Sequence, residues 1–142
     1  MSVSSGVPIA GGDITVKISD ASISKFRIVY GDTTDTTNTD LVCLAATAET
    51  TKPLGVTLEA TTAADADCAI RTNGIALVEV NGTSAIDIGD SICSTAAGVG
   101  VIASTADAAE QWAIGIALAP SAASGDIIPV LIDRHLIVKG TA

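Results

Sequence analysis

Short runs in which apolar and polar residues alternate recur along this chain and predict β-strands. The alternation is clearest in ITVKI, residues 14–18, and KFRIVY, residues 25–30, because successive side chains of a strand point to opposite faces. Further apolar runs predict strands at 41–46, 75–80, 98–104, 112–119, 125–132 and 135–140. Many short strands separated by turns are typical of an all-β fold, here a small antiparallel β-barrel or sandwich.

Turn residues divide these runs. Asn73-Gly74 and Asn81-Gly82 flank the run IALVEV, and Asn-Gly tolerates the positive φ of a tight hairpin turn, so this region predicts a β-meander. A Gly-Asp turn is predicted at residues 89 and 90. Pro129 interrupts IIPVLI and predicts an edge strand or a bulge, because proline cannot donate to a strand ladder.

The remaining segments define the domain organisation. Residues 1–12 are small and Gly-rich, and we expect a flexible N-terminal arm that becomes ordered only against a partner. Residues 13–142 are expected to form a single β-rich domain. Residues 31–40 form a polar run that predicts a solvated loop, and 104–111 predict the one short helix, with Ser104 as its cap and Asp107 in a capping-box position.

A repeat links the two halves of the chain. Gly55, Val56 and Leu58 reappear sixty positions later as Gly115, Ile116 and Leu118. Each copy is followed by a turn of small residues, an Asp and another apolar run. We interpret the repeat as a structural unit of strand and turn that is used twice.

Composition narrows the possible partners. The chain has 142 residues, a formal net charge of -9 and seven basic residues dispersed along its length, so no basic stripe exists for a nucleic-acid backbone. The N-terminus lacks the features of a secretory signal, and no apolar run is long enough to span a bilayer. The sequence therefore argues against nucleic-acid and membrane partners.

The cysteines and the single histidine predict no reactive centre. Cys43, Cys68 and Cys93 are odd in number and form no CxxC pair, so we expect buried free thiols and a reducing compartment at synthesis. His135 has no GxSxG or HExxH motif to serve. The acidic residues at 32–40 and 65–67 do not have calcium-loop spacing. These features predict neither catalysis nor a cofactor or metal.

Four segments carry glycine, aliphatic and acidic residues in a fixed order. They comprise Gly55, Val56, Leu58, Glu59 and Ala60, then residues 74–80, then Gly89 and Asp90, and finally residues 115–131. In order and spacing these segments, which together span about residues 54–132, resemble the small capsid decoration, or cement, proteins of tailed bacteriophages. Ala119-Pro120 departs from the family, which often has Glu-Ala there.

The resemblance implies a non-enzymatic protein, usually trimeric, made in the host cytoplasm and bound to the outer surface of an icosahedral head. Its partners would be the major capsid protein and further copies of itself, and it would stabilise the capsid lattice. Val7, Pro8 and Ile9 of the arm, together with Trp112 and His135, are the candidate contact residues, because apolar and amphipathic side chains anchor interfaces.

Two other functions remain open from the residues alone. A small ligand- or carbohydrate-binding β-sandwich on a virion or cell surface would need exposed aromatic residues in a cleft, and Tyr30 and Trp112 are too few to favour it. A small hydrolytic enzyme would need a Ser or carboxylate partner for His135 in a pocket.

Overall fold

The fold is described from a computed structural model, which places residues 13–37, 40–104 and 110–137. The strands are β1 (Asp13–Ile18), β2 (Ile28–Gly31), β3 (Val42–Ala45), β4 (Gly55–Thr57), β5 (Ala66–Arg71), β6 (Gly74–Glu79), β7 (Ser91–Ser94), β8 (Gly100–Ile102), β9 (Gln111–Ala117) and β10 (Ile127–Ile137). A short 3-10 helix, Ala96–Gly98, separates β7 from β8. The predicted all-β fold is confirmed.

The first five strands form a closed barrel in the order β1-β3-β2-β4-β5. β5 pairs antiparallel with β1 along the whole length of both strands, and the barrel closes through a parallel pairing of β1 with β3. The interior is filled by branched aliphatic residues and two cysteines, because the chain supplies few aromatic residues. The buried residues are Val16, Ile18, Ile23, Val29, Cys43, Cys68 and Ile70.

The last five strands repeat this pairing pattern. Their order is β6-β10-β9-β7-β8, which matches the barrel when β6 to β10 are taken as the counterparts of β1 to β5. Four antiparallel pairings recur in this way. The fifth, parallel pairing is reduced to one isolated bridge between Val80 and Gly100. The second half is therefore a copy of the barrel that opens between β6 and β8.

The sequence repeat lies at the same place in both halves. β4 and β9 each lead into a turn that contains a small residue with a hydroxyl group. In the first half this residue is Thr61, which forms an isolated antiparallel β-bridge with Ile23, and in the second half it is Ser121, which forms one with Ile86. The turns then reach a residue with positive φ, Asp65 at 60° and Gly125 at 88°, before β5 and β10 begin. The interpretation of the repeat as a unit of strand and turn used twice is confirmed.

A shared core joins the halves. Ile28, Ala46 and Val56 from the barrel pack in one buried cluster with residues of the second sheet such as Ile92 and Ile114. Burial of these aliphatic side chains is the main stabilising contribution in a fold with so few aromatic residues.

Arg27 adds a polar link between the halves. Its guanidinium donates to the Glu79 carboxylate of β6 at 3.0 Å and to the Ala97 carbonyl of the 3-10 helix at 3.2 Å. Both side chains of the ion pair are partly buried, so the pair is less screened than one on the open surface.

Arg27→Met is expected to lower the free energy of unfolding by about 1 kcal/mol, since two hydrogen bonds are lost while the aliphatic stem is kept. Urea unfolding measures the change. Arg134→Met, at an exposed position of β10, serves as the control and is expected to stay within about 0.5 kcal/mol of the wild type. Equal stability of the two variants would contradict a linking role for Arg27.

The predicted meander is wrong. β6 pairs with β10, whereas the neighbours of β7 are β8 and β9. Asn73-Gly74 does form a turn, with φ of 81° at Gly74, but this turn carries the chain from the barrel to the second sheet. The turn residues were recognised correctly, and the partners of the strands they connect were not.

Strand boundaries also differ from the prediction. Phe26 has φ of 67°, so the predicted strand 25–30 begins only at Ile28. The predicted strand at 135–140 is, in its described part, the end of β10 after a register shift between Ile132 and His135. The helix predicted at 104–111 falls largely on 105–109, outside the described residues, while Gln111 belongs to β9.

Pro129 does not mark an edge strand. β10 lies between β6 and β9, and its register shift occurs further along the strand. The Pro129 carbonyl accepts from the Leu118 amide at 2.9 Å, so the nitrogen of Pro129 faces the same neighbour. The β9–β10 register begins only at Val130 and Ala117. The missing donor therefore falls at the end of a ladder, where its cost is small.

The three cysteines are free and buried, as predicted. Burial, with smaller contributions from Cys68 and Asp32, raises the pKa of the Cys43 thiol to about 12. Burial and the nearby Glu59 carboxylate also raise the pKa of the Cys68 thiol. Both thiols are therefore protonated and unreactive at neutral pH. Among the residues that the structure describes, no group of three or more His, Cys, Asp or Glu is arranged to hold a metal ion.

Candidate functional site

The outer side of the second sheet exposes a continuous set of apolar side chains. Along β6 and β10 the even-numbered residues 76, 78, 128 and 130 are buried in the core, so the odd-numbered residues point away from it. We call the following set the apolar face: Ile75, Leu77, Ile116, Leu118, Ile127, Pro129 and Leu131.

The strand register places these side chains side by side. Leu131 lies opposite Ile75 on β6 and opposite Ile116 on β9, and Pro129 lies opposite Leu77. The exposed fractions are 51% for Ile75, 43% for Leu77, 46% for Ile127 and 42% for Leu131. Contiguous exposed apolar surface of this kind marks sites of interaction with other proteins.

The apolar face contrasts with the charge of the chain. None of its side chains is ionisable, although the chain has a net charge of -9. Glu79 borders the face opposite Ile127, and its carboxylate is paired with Arg27. A partner can therefore cover this face without burying an unpaired charge, which would be costly.

The first half provides an internal comparison at the same register positions. Where β6 and β10 place Ile75 opposite Leu131, β1 and β5 place Asp13 opposite Arg71. These two side chains form an ion pair in which Arg71 Nε lies 2.8 Å from Asp13 Oδ1. The hydrogen bond from Arg71 holds the pKa of the Asp13 carboxyl below its ordinary value.

The neighbouring positions show the same contrast. Thr15 and Ala69 occupy the barrel positions that correspond to Leu77 and Pro129, and the ion pair Lys17–Asp67, at 3.0 Å, corresponds to Glu79 and Ile127. The two halves therefore share a backbone plan but differ in surface chemistry. The barrel has a polar, solvent-facing surface where the second sheet has an apolar one.

His135 lies on the same side of the sheet, beyond the register shift of β10. Its Nε2 is 3.1 Å from the Ser91 hydroxyl oxygen, and its Nδ1 is 2.6 Å from the backbone carbonyl oxygen of Asp133. A carbonyl can only accept, so Nδ1 donates to it, and in the neutral imidazole Nε2 then accepts from the Ser91 hydroxyl. The Ser partner that a hydrolytic function required is present, but a neutral carbonyl stands where a triad has a carboxylate.

Trp112 lines a groove on the opposite side of the sheet. Trp112 lies opposite Leu136, and the adjacent pair His135 and Ala113 points the other way. The groove, with a volume of about 580 Å³, is lined by Lys52, Pro53, Thr72, Trp112, Ile132, Asp133 and Arg134. Lys52 Nζ lies 5.6 Å from the centre of the Trp112 ring, which is a cation–π distance.

The two candidate residues that the structure describes, Trp112 and His135, therefore do not share a site. Trp112 and His135 lie on opposite sides of the second sheet, and Val7, Pro8 and Ile9 lie outside the described residues. Sequence reasoning missed the apolar face. The available signal was the run IALV, which carries apolar residues at consecutive positions instead of the alternation expected of an antiparallel strand with one side in water.

Comparison with known protein families identifies the family of this chain. A family model described as phage cement protein matches residues 9–132, which includes both halves. The chain belongs to this family. It is accordingly a structural protein associated with the phage capsid, and the family suggested by the sequence resemblance is confirmed.

A solved structure resembles the cement protein in fold. It is described as the crystal structure of the head fiber gp8.5 N base in bacteriophage phi29, with a TM-score of 0.63 and 17% sequence identity over 85% of this chain and 92% of that chain. The search of curated proteins gave no match. Within the described parts of the chain, no helix is long and apolar enough to cross a membrane.

Proposed function

We propose that this cement protein binds the outer surface of an icosahedral phage head as a homotrimer, contacts the major capsid protein and stabilises the capsid lattice. The observation that carries the proposal is the match of the phage cement family to both halves of the chain, and the apolar face supplies an uncharged surface for assembly on an otherwise acidic protein. Its synthesis in the host cytoplasm agrees with three buried free thiols.

A symmetric oligomer makes weak capsid contacts effective. Each copy of a trimer presents the same contact surface, so once one copy is bound, the others bind at a high effective concentration. No single strong contact residue is then required. Repeated over the lattice, such contacts resist outward displacement of neighbouring capsomers, which is how a cement protein stabilises a filled head.

The mass of the purified protein and its binding to heads test this proposal. We expect light scattering to give the mass of three 14.1 kDa chains, and imaging of undecorated heads mixed with the protein to show protrusions at equivalent lattice positions. Treated heads should also release less DNA on heating than untreated heads. A protein that leaves the heads bare at saturating concentration would contradict the proposed function.

We also propose that the arm at residues 1–12 contributes to capsid attachment, with 13–142 folding as one unit. Its apolar residues Val7, Pro8 and Ile9 suit an extended contact along a neighbouring strand edge. Deletion of residues 1–12 is expected to reduce head occupancy at least tenfold with no change in melting temperature. Full occupancy by the shortened protein would contradict the role of the arm and leave the family assignment intact.

A further inference from the structure

We infer that the apolar face of the second sheet is the contact surface between copies of this chain. The inference rests on the proposed oligomeric cement function and specifies which surface forms the oligomer. It follows from the comparison of the two halves, from the charge of the chain and from the position of the face in the sheet.

The fold itself does not require an apolar surface here. The barrel has the same strand order and register, and at the equivalent positions it carries the ion pairs Asp13–Arg71 and Lys17–Asp67. Such pairs keep a surface compatible with water. The second half instead places Ile75 against Leu131 and Leu77 against Pro129, and burial against another molecule explains this difference.

The chemistry of the face favours a second copy over the capsid as the occupant. Permanent interfaces between identical subunits are more apolar than contacts that form later, which resemble the rest of the surface in polarity. A cement protein has to stay in solution before it meets a head, and exposed Ile and Leu side chains promote aggregation during that time. An interface between copies removes this apolar surface from water as soon as the protein folds.

The net charge of the chain also favours a second copy as the partner that covers the apolar face. Copies with a net charge of -9 repel one another, and association is least opposed where the touching surfaces carry no charge. The apolar face is such a surface, and three copies that turn it toward a common three-fold axis can bury it without matching charges. β6 is one of the two end strands of this sheet, and its edge away from β10 is held to the barrel by the hydrogen bond from the Glu79 amide to the Phe26 carbonyl at 3.1 Å. A neighbouring copy therefore covers the outward side chains of β6, β10 and β9 and does not add to the strand edge.

The test transfers the barrel's own ion pair to the second sheet. Ile75→Asp combined with Leu131→Arg places at this register the pair that the barrel already accommodates as Asp13 and Arg71, so the fold is expected to tolerate it. We expect the dissociation constant between copies to rise roughly 100-fold or more, because two charged groups would be buried at the interface centre. Sedimentation over a range of concentrations measures it, with circular dichroism to verify folding.

A second pair of variants provides a matched control. Leu77→Lys introduces a lysine into the apolar face. Thr15→Lys introduces a lysine at the corresponding position on the polar surface of the barrel. The Leu77 variant is expected to dissociate at concentrations where the Thr15 variant keeps the wild-type mass. Wild-type mass for both the Leu77 variant and the double variant would overturn the inference, as would equal dissociation of the Leu77 and Thr15 variants.

Head binding separates this inference from the proposed function. Variants that keep the wild-type mass but no longer bind heads would assign the apolar face to the capsid, which overturns the inference and preserves the function. A wild-type protein that is monomeric yet decorates heads would also overturn it. Wild-type oligomers that dissociate in the face variants but never bind heads would support the interface and contradict the capsid function.

Discussion

Gly115→Ala is expected to lower the free energy of unfolding by about 3 kcal/mol. A Cβ at this position would collide with the carbonyl oxygen of Leu131, and it would lie 3.0 Å from the Cα of Ile132. Both atoms belong to the backbone of β10, which is held between two neighbouring strands. The neighbour cannot move aside as a flexible side chain would, so the strands must separate.

The same chain contains a positive and a negative control for this effect. Gly55 is the counterpart of Gly115 in the barrel, and its Cβ would lie 2.6 Å from the carbonyl oxygen of Arg71, the counterpart of Leu131. Gly55→Ala should therefore also destabilise the protein. A Cβ at Gly31 would meet nothing within 4 Å, so Gly31→Ala should remain within about 0.5 kcal/mol of the wild type. Urea unfolding that ranks Gly31→Ala as the most damaging of the three would refute this explanation of the repeated glycine.

Gln111→Leu is expected to cost about 2 to 3 kcal/mol, because it removes two hydrogen bonds that a fully buried side chain makes to the backbone of the partly buried Ser104. The Gln111 side chain is fully buried. Its Oε1 accepts from the Ser104 amide at 3.0 Å, and its Nε2 donates to the Ser104 carbonyl at 3.2 Å. Leucine has a similar volume but can replace neither bond.

Two measurements test the role of Gln111. Urea unfolding gives the loss of stability, with the exposed neighbour variant Glu110→Gln expected to match the wild type. Cys93, whose Sγ lies 3.8 Å from Gln111 Oε1, should react faster with a thiol reagent in Gln111→Leu, because local opening exposes it. Unchanged stability together with unchanged Cys93 reactivity would show that the Ser104 contacts contribute little.

Only a small part of the structural duplication could be detected by comparing the two halves of the sequence. Gly55 and Gly115 are visible as a repeated pair in the sequence. The structure explains why both are glycine: the carbonyl oxygen of Arg71 or Leu131 lies where a Cβ atom would be. The wider duplication of five strands was not visible, because most equivalent positions differ in residue type. Asp13 and Ile75 occupy equivalent positions in register and share no chemistry that a sequence comparison would recognise.

The candidate site was only partly predictable for a similar reason. Trp112 and His135 were selected because they are rare, large or amphipathic, and the structure separates them onto opposite sides of one sheet. A register shift sets that separation, and register depends on partner strands that are distant in sequence. Val7, Pro8 and Ile9 stay a prediction, since they lie outside the described residues.

By itself, the sequence determined the β-strand content, the buried cysteines, the repeated unit and the family resemblance, because each depends on local composition, spacing or turn residues. The tertiary structure decided that β6 pairs with β10 and that Pro129 lies at the end of a ladder within a central strand. It also decided which side of β6 is exposed. Alternation along a strand shows which residues share a side, but only packing against the rest of the chain determines which side is covered.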